Sequence, residues 1–301
     1  MIKAMYSGIS GIKANQTKLD VVGNNVANVS TVAFKKSTAR TTDSFYQTMI
    51  YSSAPTAAMG GTNLGQVGIG TQVSSIVKNM LQGGLQPTGI SSDLAIDGEG
   101  YFPVERNGQV LYTRDGSFGL DEQGRLVNSS GFILQGKITP KGGAVADGII
   151  EIPIQSVSPK DGTIQDVVSY TISKDGVITY SLADGQTTDK VYDIPPKTPS
   201  GTPAGTIATN ERTQQVQIYA FKNPAGLDAQ GGNLFSPSAN SGDPEIEGAS
   251  GVIKQGSIEM SNVDLAEEFT EMIVSSRAFQ ASSKIITTSD EILQDIINLK
   301  R

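Results

Sequence analysis

The apolar positions of this chain follow a helical period at both ends and a strand period between them. Near the amino end they fall at Ile2, Met5, Ile9, Ile12, Leu19 and Val26, a heptad step interrupted at Gln16 and Gly23. That spacing predicts one narrow apolar seam along a helix of about 25 residues. Gly8, Gly11 and Gly23 each weaken such a helix by about 1 kcal/mol relative to Ala, so it should need packing partners.

At the carboxyl end Asp264, followed three residues later by Glu267, predicts a capped helix start, with Glu268 and Glu271 near the positive end of its dipole and Lys300 and Arg301 at the negative end. A helix over 264–300 would be roughly 55 Å long. It carries two apolar stripes: Phe269, Met272, Phe279, Ile286, Leu293 and Ile297 on one, and Ile285, Ile292, Ile296 and Leu299 beside it. A two-stranded coil needs only the first stripe, so the second predicts contact with more than one neighbour.

Between the ends, stretches such as VVSYTISKDGVITYSLADG alternate β-branched or aromatic residues with polar ones, and Asp-Gly pairs at 115–116, 161–162, 175–176 and 184–185 predict hairpin turns. Residues 52–75 and 195–210 are rich in Gly, Pro, Ser and Thr without a lasting period and read as joints. The fold class expected is therefore mixed. Long terminal helices pair as a coiled-coil domain from 1–30 and 261–301, an extended linker spans 31–75, and an all-β, antiparallel, hairpin-rich domain covers 76–260.

Charge supports the pairing of the ends. Residues 1–50 hold six basic and two acidic side chains, and residues 257–301 hold four basic and eight acidic ones. The net charge of −7 argues against a general nucleic-acid partner, and no apolar run is long enough for membrane insertion. The amino end has neither the apolar core nor the cleavage site of a secretory signal peptide.

The chain of 301 residues contains no Cys, His or Trp. Disulfides, thiolate nucleophiles, imidazole acid/base chemistry and Cys/His metal sites are excluded with them, and no cofactor, metal site or enzyme activity is expected. Gly68-Ile-Gly70 is followed by Val73 where a dinucleotide fingerprint needs a further glycine, so it reads as a turn. Asp93, Asp97 and Glu99 lack calcium-loop spacing and read as strand and turn residues. Lys35 and Lys36 read as solvated surface.

One short stretch stands out. In LDVVGNNVANVSTVAFKKS, Gly23, Asn24, Asn25, Ala27 and Asn28 lie where the helical pattern should continue, with Phe34 beyond them. Asparagine tolerates the left-handed and turn conformations that end a helix, so the stretch reads as a hinge where the chain leaves the helix.

The segment SGISGIKANQTKLDVVGNNVANVSTVAFKKS closely resembles the amino-terminal motif of bacterial flagellar rod and hook proteins, and LAEEFTEMIVSSRAFQASSKIITTSDEILQDIINLKR resembles their terminal helix. Resemblance extends to LQGGLQPTGISSDLAIDGEGYFPV and YTRDGSFGLDEQGRLVNSSGFILQG, leaving only about 140–210 without an anchor. Ala33 departs from the family, which usually has Gly there, and Pro103 replaces an apolar strand residue. Proline cannot donate to a ladder, so an edge or bulge is expected at 103.

The resemblance implies a structural subunit that self-polymerises into a helical tube, with terminal helices lining the channel and β domains forming the wall. Helix contacts would then involve Met5, Ile9, Ile12, Leu19, Val26, Phe269, Met272, Phe279, Ile286, Ile292, Leu293 and Ile296. Several stretches are more similar to hook than to rod sequences, which implies a flexible hook joint, with a distal-rod subunit as the alternative. Implied partners are the distal rod, hook cap and hook–filament junction proteins and the type III export apparatus.

Overall fold

In a computed structural model the described residues are 2–55, 59–194, 209–246 and 250–299. They form two compact units: one of residues 1–29, 35–79 and 263–301, the other of 30–34 and 80–262.

The first unit holds both long helices, α1 (Ile2–Ala27) and α2 (Leu265–Leu299). Asp264 caps α2 as its position requires, its Oδ1 accepting from the Ala266 amide at 2.8 Å and the Glu267 amide at 3.4 Å. The helices run antiparallel: Gly8 lies against Ser282 and Ile286, Lys18 meets Glu271, and Asn25 meets Glu268.

The expected linker over 31–75 is not simply extended. Strand Ser37–Asp43 pairs antiparallel with Thr71–Lys78, and Tyr46–Ile50 pairs with Gly65–Gly68. Each ladder joins residues distant in sequence, and its Gly, Ser and Thr content hides the period-two pattern that local reading requires. Residues 44–77 contain no charged side chain, yet Phe45, Tyr46, Met49 and Tyr51 are exposed.

Every strand pairing among the described residues of the second unit is antiparallel. Among the described residues its larger sheet has ten strands, with Phe102–Arg106 at its centre between Gln109–Thr113 and Ile133–Pro140, and a second sheet of four strands is built on Ile164–Ile172 and Ile178–Leu182. Phe102, Val104, Leu126, Leu134, Ile150, Ile178 and Tyr180 are fully buried in one apolar cluster that draws on both sheets. A smaller aromatic cluster holds Tyr101, Tyr112, Phe221 and Phe235, with Tyr112 and Phe221 edge to face at 4.9 Å between ring centres.

Three local expectations need correction. Pro103 is not on an edge strand, since Phe102–Arg106 is paired on both sides. The ladder with Ile133–Pro140 begins one residue later, at Val104, so no registered partner on that side needs the missing donor. Gly162, Gly176 and Gly185 take the left-handed φ expected of hairpins, but Gly116 does not. Its α-carbon lies so close to the Leu94 carbonyl that a β-carbon would overlap it, and Asp115 instead turns the chain by accepting from Ser117 N at 3.0 Å. Finally, Asn107-Gly108, a stronger hairpin dipeptide than any Asp-Gly pair singled out, closes the central hairpin with both residues at positive φ. The joint at 195–210 falls almost wholly outside the described residues.

Candidate functional site: the terminal helix pair

The seam of α2 consists of Met272, Phe279, Ile286 and Leu293, all half-buried, alternating with Glu268, Ser275, Ser282 and Ser289. The apolar row was predicted; the small polar row was not. On α1 the fully buried positions are Gly8, Ala14, Val22 and Asn25, a face rotated by roughly a quarter turn from the predicted Met5, Ile9, Ile12, Leu19 and Val26 seam. That face packs on strands Ser37–Asp43 and Thr71–Lys78 as well as on α2, and Gly8 marks the close approach to α2. A β-carbon there would sit 3.1 Å from Ile286 Cγ1 and 3.3 Å from the Ser282 carbonyl, closer than side chains ordinarily pack. Gly8 and Gly11, which weaken α1 as an isolated helix, let α2 approach it at Ser282 and Ile286, whereas Gly23 has no neighbour there, and two matched apolar seams are not what joins the pair.

Consequently much of the predicted apolar surface stays uncovered. Val274, Ile285, Ile292 and Ile296 line one flank of α2 and Phe269 and Ile273 the other, each at least 40% exposed, while Ile9 is exposed on α1. Met5, Ile12, Leu19 and Val26 are half-buried.

The asparagine stretch has a different geometry from the expected hinge. Helix α1 runs through Gly23, Asn24 and Asn25 to Ala27, and none of Asn24, Asn25 or Asn28 has a positive φ. Asn25 is 1% exposed. Its Oδ1 accepts from Ser37 N at 3.0 Å, and its Nδ2 donates to the Ser37 carbonyl at 2.8 Å and to Glu268 Oε2 at 3.0 Å. One amide thus ties α1 to the first strand and to α2. Asn28 Nδ2 donates back to the Asn24 carbonyl and to Asn24 Oδ1, both at 2.9 Å, closing the last turn.

The lysines that follow are not a solvated patch. Lys35 is buried, and Lys36 donates to Glu267 Oε2 at 2.6 Å, with Glu268 Oε1 3.8 Å away. The hydrogen bond to Glu267, helped by the charges of Glu268 and Glu271, raises the Lys36 ammonium above its ordinary range. With Lys18–Glu271 at 2.6 Å, these pairs are the charge complementarity of the two ends made local. A raised amine favours folding at neutral pH and loses that contribution only as pH climbs through its folded value.

Left-handed backbone does occur nearby, at Ala33 in the second unit, with φ of 56° and 1% exposure. Its amide donates to the Glu259 carbonyl at 2.8 Å. An Ala33→Val variant puts a β-branched residue in that conformation inside a packed site; we expect a loss of about 2 kcal/mol or more, read as a lower urea midpoint with unchanged m. An unchanged midpoint would show that the backbone there relaxes freely.

Among the described residues no cluster of Asp, Glu, His or Cys could hold a metal ion, and no helix is long and apolar enough to cross a membrane. Asp93, set aside as a ligand, accepts from the Thr88 hydroxyl at 2.6 Å.

Comparison with known proteins finds a family match over three stretches of the chain. Residues 5–35 match a family described as flagella basal body rod protein, 95–180 the flagellar hook protein FlgE/F/G D1 domain, and 254–299 the flagellar basal body rod FlgEFG protein C-terminal region. The flagellar basal-body rod protein FlgG of Bacillus subtilis is 42% identical over the whole of both chains, and that of Borreliella burgdorferi is 34% identical over the whole of both. The flagellar hook protein FlgE of Borreliella burgdorferi is 28% identical over the whole of both, but that alignment spans 441 positions where the Bacillus rod protein needs 306. The comparisons thus back the distal-rod alternative better than the hook reading, since rod relatives are more similar and nearly equal in length.

Proposed function

Because this chain belongs to the flagellar rod and hook family of axial structural proteins, which are not enzymes, we propose that it is a subunit of the flagellar rod, of the distal-rod kind, polymerising through its terminal helices. The observation that carries the rod reading is end-to-end similarity to rod proteins without the long insertions that the hook relative requires. The observation that carries polymerisation is the uncovered flank of Val274, Ile285, Ile292 and Ile296 beside a seam already occupied by α1. A heterologous contact through that flank, repeated without closing, generates a helical tube. Its neighbours along the axis would be other rod subunits below and the hook above, reached after export through the flagellar type III channel.

The direct test is electron microscopy of basal bodies from a strain lacking this chain. A rod that stops short of full length, with no hook on it, is expected. A full-length rod lacking only the hook would return the assignment to hook protein.

The helix pair also supports a prediction about the free subunit. Its seam is half serine and glycine, so apolar burial between α1 and α2 is thin, and much of the helices' stability must come from neighbouring copies. Far-ultraviolet circular dichroism should show more helix per subunit in the polymer than in the monomer. Equal ellipticity would contradict this account.

A further inference from the structure

Arg114 and Glu259 form an ion pair inside the β unit, their side chains 4% and 0% exposed and 3.3 Å apart. Arg114 Nη2 also donates to the Gly98 carbonyl at 2.8 Å, and its guanidinium lies over the Tyr101 ring at 5.3 Å. A buried pair is weak grounds for stability, because apolar residues of similar volume commonly do as well or better; its better-attested use is to specify one arrangement.

The arrangement specified here involves every segment by which the chain leaves or enters this unit, since it passes between units at 29–30, 34–35, 79–80 and 262–263. Glu259 Oε1 accepts from Gly83 N at 2.8 Å, and the Glu259 carbonyl accepts from Ala33 N at 2.8 Å. Around this residue Met260 N donates to the Gly84 carbonyl at 2.8 Å, Asn262 N to the Phe34 carbonyl at 3.3 Å, Asn262 Nδ2 to the Leu81 carbonyl at 3.0 Å, and Asn233 Nδ2 to the Val32 carbonyl at 2.6 Å. Gly83 is needed for this crossing, because a β-carbon would overlap the Met260 carbonyl oxygen.

We propose that the Arg114–Glu259 pair is a mechanical clamp that locks segments 30–34, 80–84 and 259–262 into one bundle within the β unit, so that torque reaching the unit along the chain is borne by one rigid base. The torque-bearing role rests on the rod reading; the clamp itself does not. Arg114 and Glu259 act as positioning residues: the carboxylate faces Arg114 and the Gly83 amide, and the guanidinium faces Glu259, Gly98 and Tyr101. Loosening either frees three segments together.

The test is a double variant, Arg114→Met with Glu259→Leu, which removes both charges and leaves neither buried alone. Native-state amide exchange on the full-length monomer should speed up by about tenfold or more at Gly83 and Ala33 and stay near wild type in Leu94–Asp97 and Phe102–Arg106, a local opening instead of global loss. Polymers of the variant should be measurably more flexible by electron microscopy at an unchanged assembly threshold. Unchanged exchange at Gly83 and Ala33, or faster exchange spread evenly over the core strands, would overturn the clamp. Should the double variant fail to fold, Arg114→Lys, which keeps a cation beside Glu259 and the Gly83 acceptor while removing the guanidinium from Gly98 and Tyr101, carries the same two outcomes. Stiff polymers from a variant with locally faster exchange would sink the torque-bearing role while leaving the clamp standing.

Discussion

Ile292→Asp should abolish polymerisation while leaving the monomer folded. Ile292 is 49% exposed on the flank of α2 away from its seam, so the substitution disturbs little in the free chain, and its urea midpoint should move by no more than about 0.5 kcal/mol in equivalent stability. In a tube where that flank meets a neighbouring copy, the same change removes about 2 kcal/mol of apolar burial and buries an unpaired carboxylate at a penalty of several kcal/mol. Losing about 4 kcal/mol at a contact raises the assembly threshold about a thousandfold. Sedimentation of the purified variant over a concentration series checks this. Ile285 lies on the same flank, and Ile285→Asp should behave alike. An Ile292→Asp chain that assembles at the wild-type threshold would mean that this face of α2 is open to solvent in the polymer.

The second large effect is expected at Asn25. Asn25→Leu keeps similar bulk but deletes three hydrogen bonds, leaving the Ser37 amide and carbonyl without that partner and stripping a neutral donor from the buried Glu268 carboxylate. Unsatisfied buried groups cost about 1–3 kcal/mol each, so a loss of about 3 kcal/mol in the helical unit is expected. Thermal melts followed by circular dichroism should show the helical transition falling well below that of the β unit. Asn24→Leu, at an exposed position one residue away, is the control and should cost far less. Equal effects at the two positions would show that the stretch acts through helix propensity alone.

These cases also show what local pattern could and could not reveal. Helix termini were legible because capping and heptad spacing are local: Asp264 caps α2, and α1 ends at Ala27, both close to the boundaries read from the sequence. The pairing of opposite charges was legible as a regional count, and the structure resolves it into Lys18–Glu271 and Lys36–Glu267. What escaped was everything decided by a partner distant in the chain. Asn25 looks like a helix breaker until Ser37 and Glu268 are placed around it. Ser275, Ser282 and Ser289 carry a seven-residue period, but a search for apolar positions passes over serine. Gly8 reads as a weakness until Ser282 and Ile286 approach it. The ladder between 37–43 and 71–78 is a non-local pairing hidden in a low-complexity stretch. Hook and rod are hard to tell apart from local motifs for a related reason: the shared terminal motifs identify the family, and it is similarity over the whole chain that favours the rod relatives.

The absence of cysteine from this chain offers the most direct test of the central claim, that the outer flank of α2 is buried between copies in an axial tube. Ile292→Cys introduces a single thiol, and its rate of modification by a maleimide can be compared between monomer and assembled polymer. The account predicts fast labelling in the monomer and strong protection after assembly, with a second thiol at exposed Val168 (Val168→Cys) as the reference for a site on the β unit. Equal labelling of position 292 in monomer and polymer would contradict it.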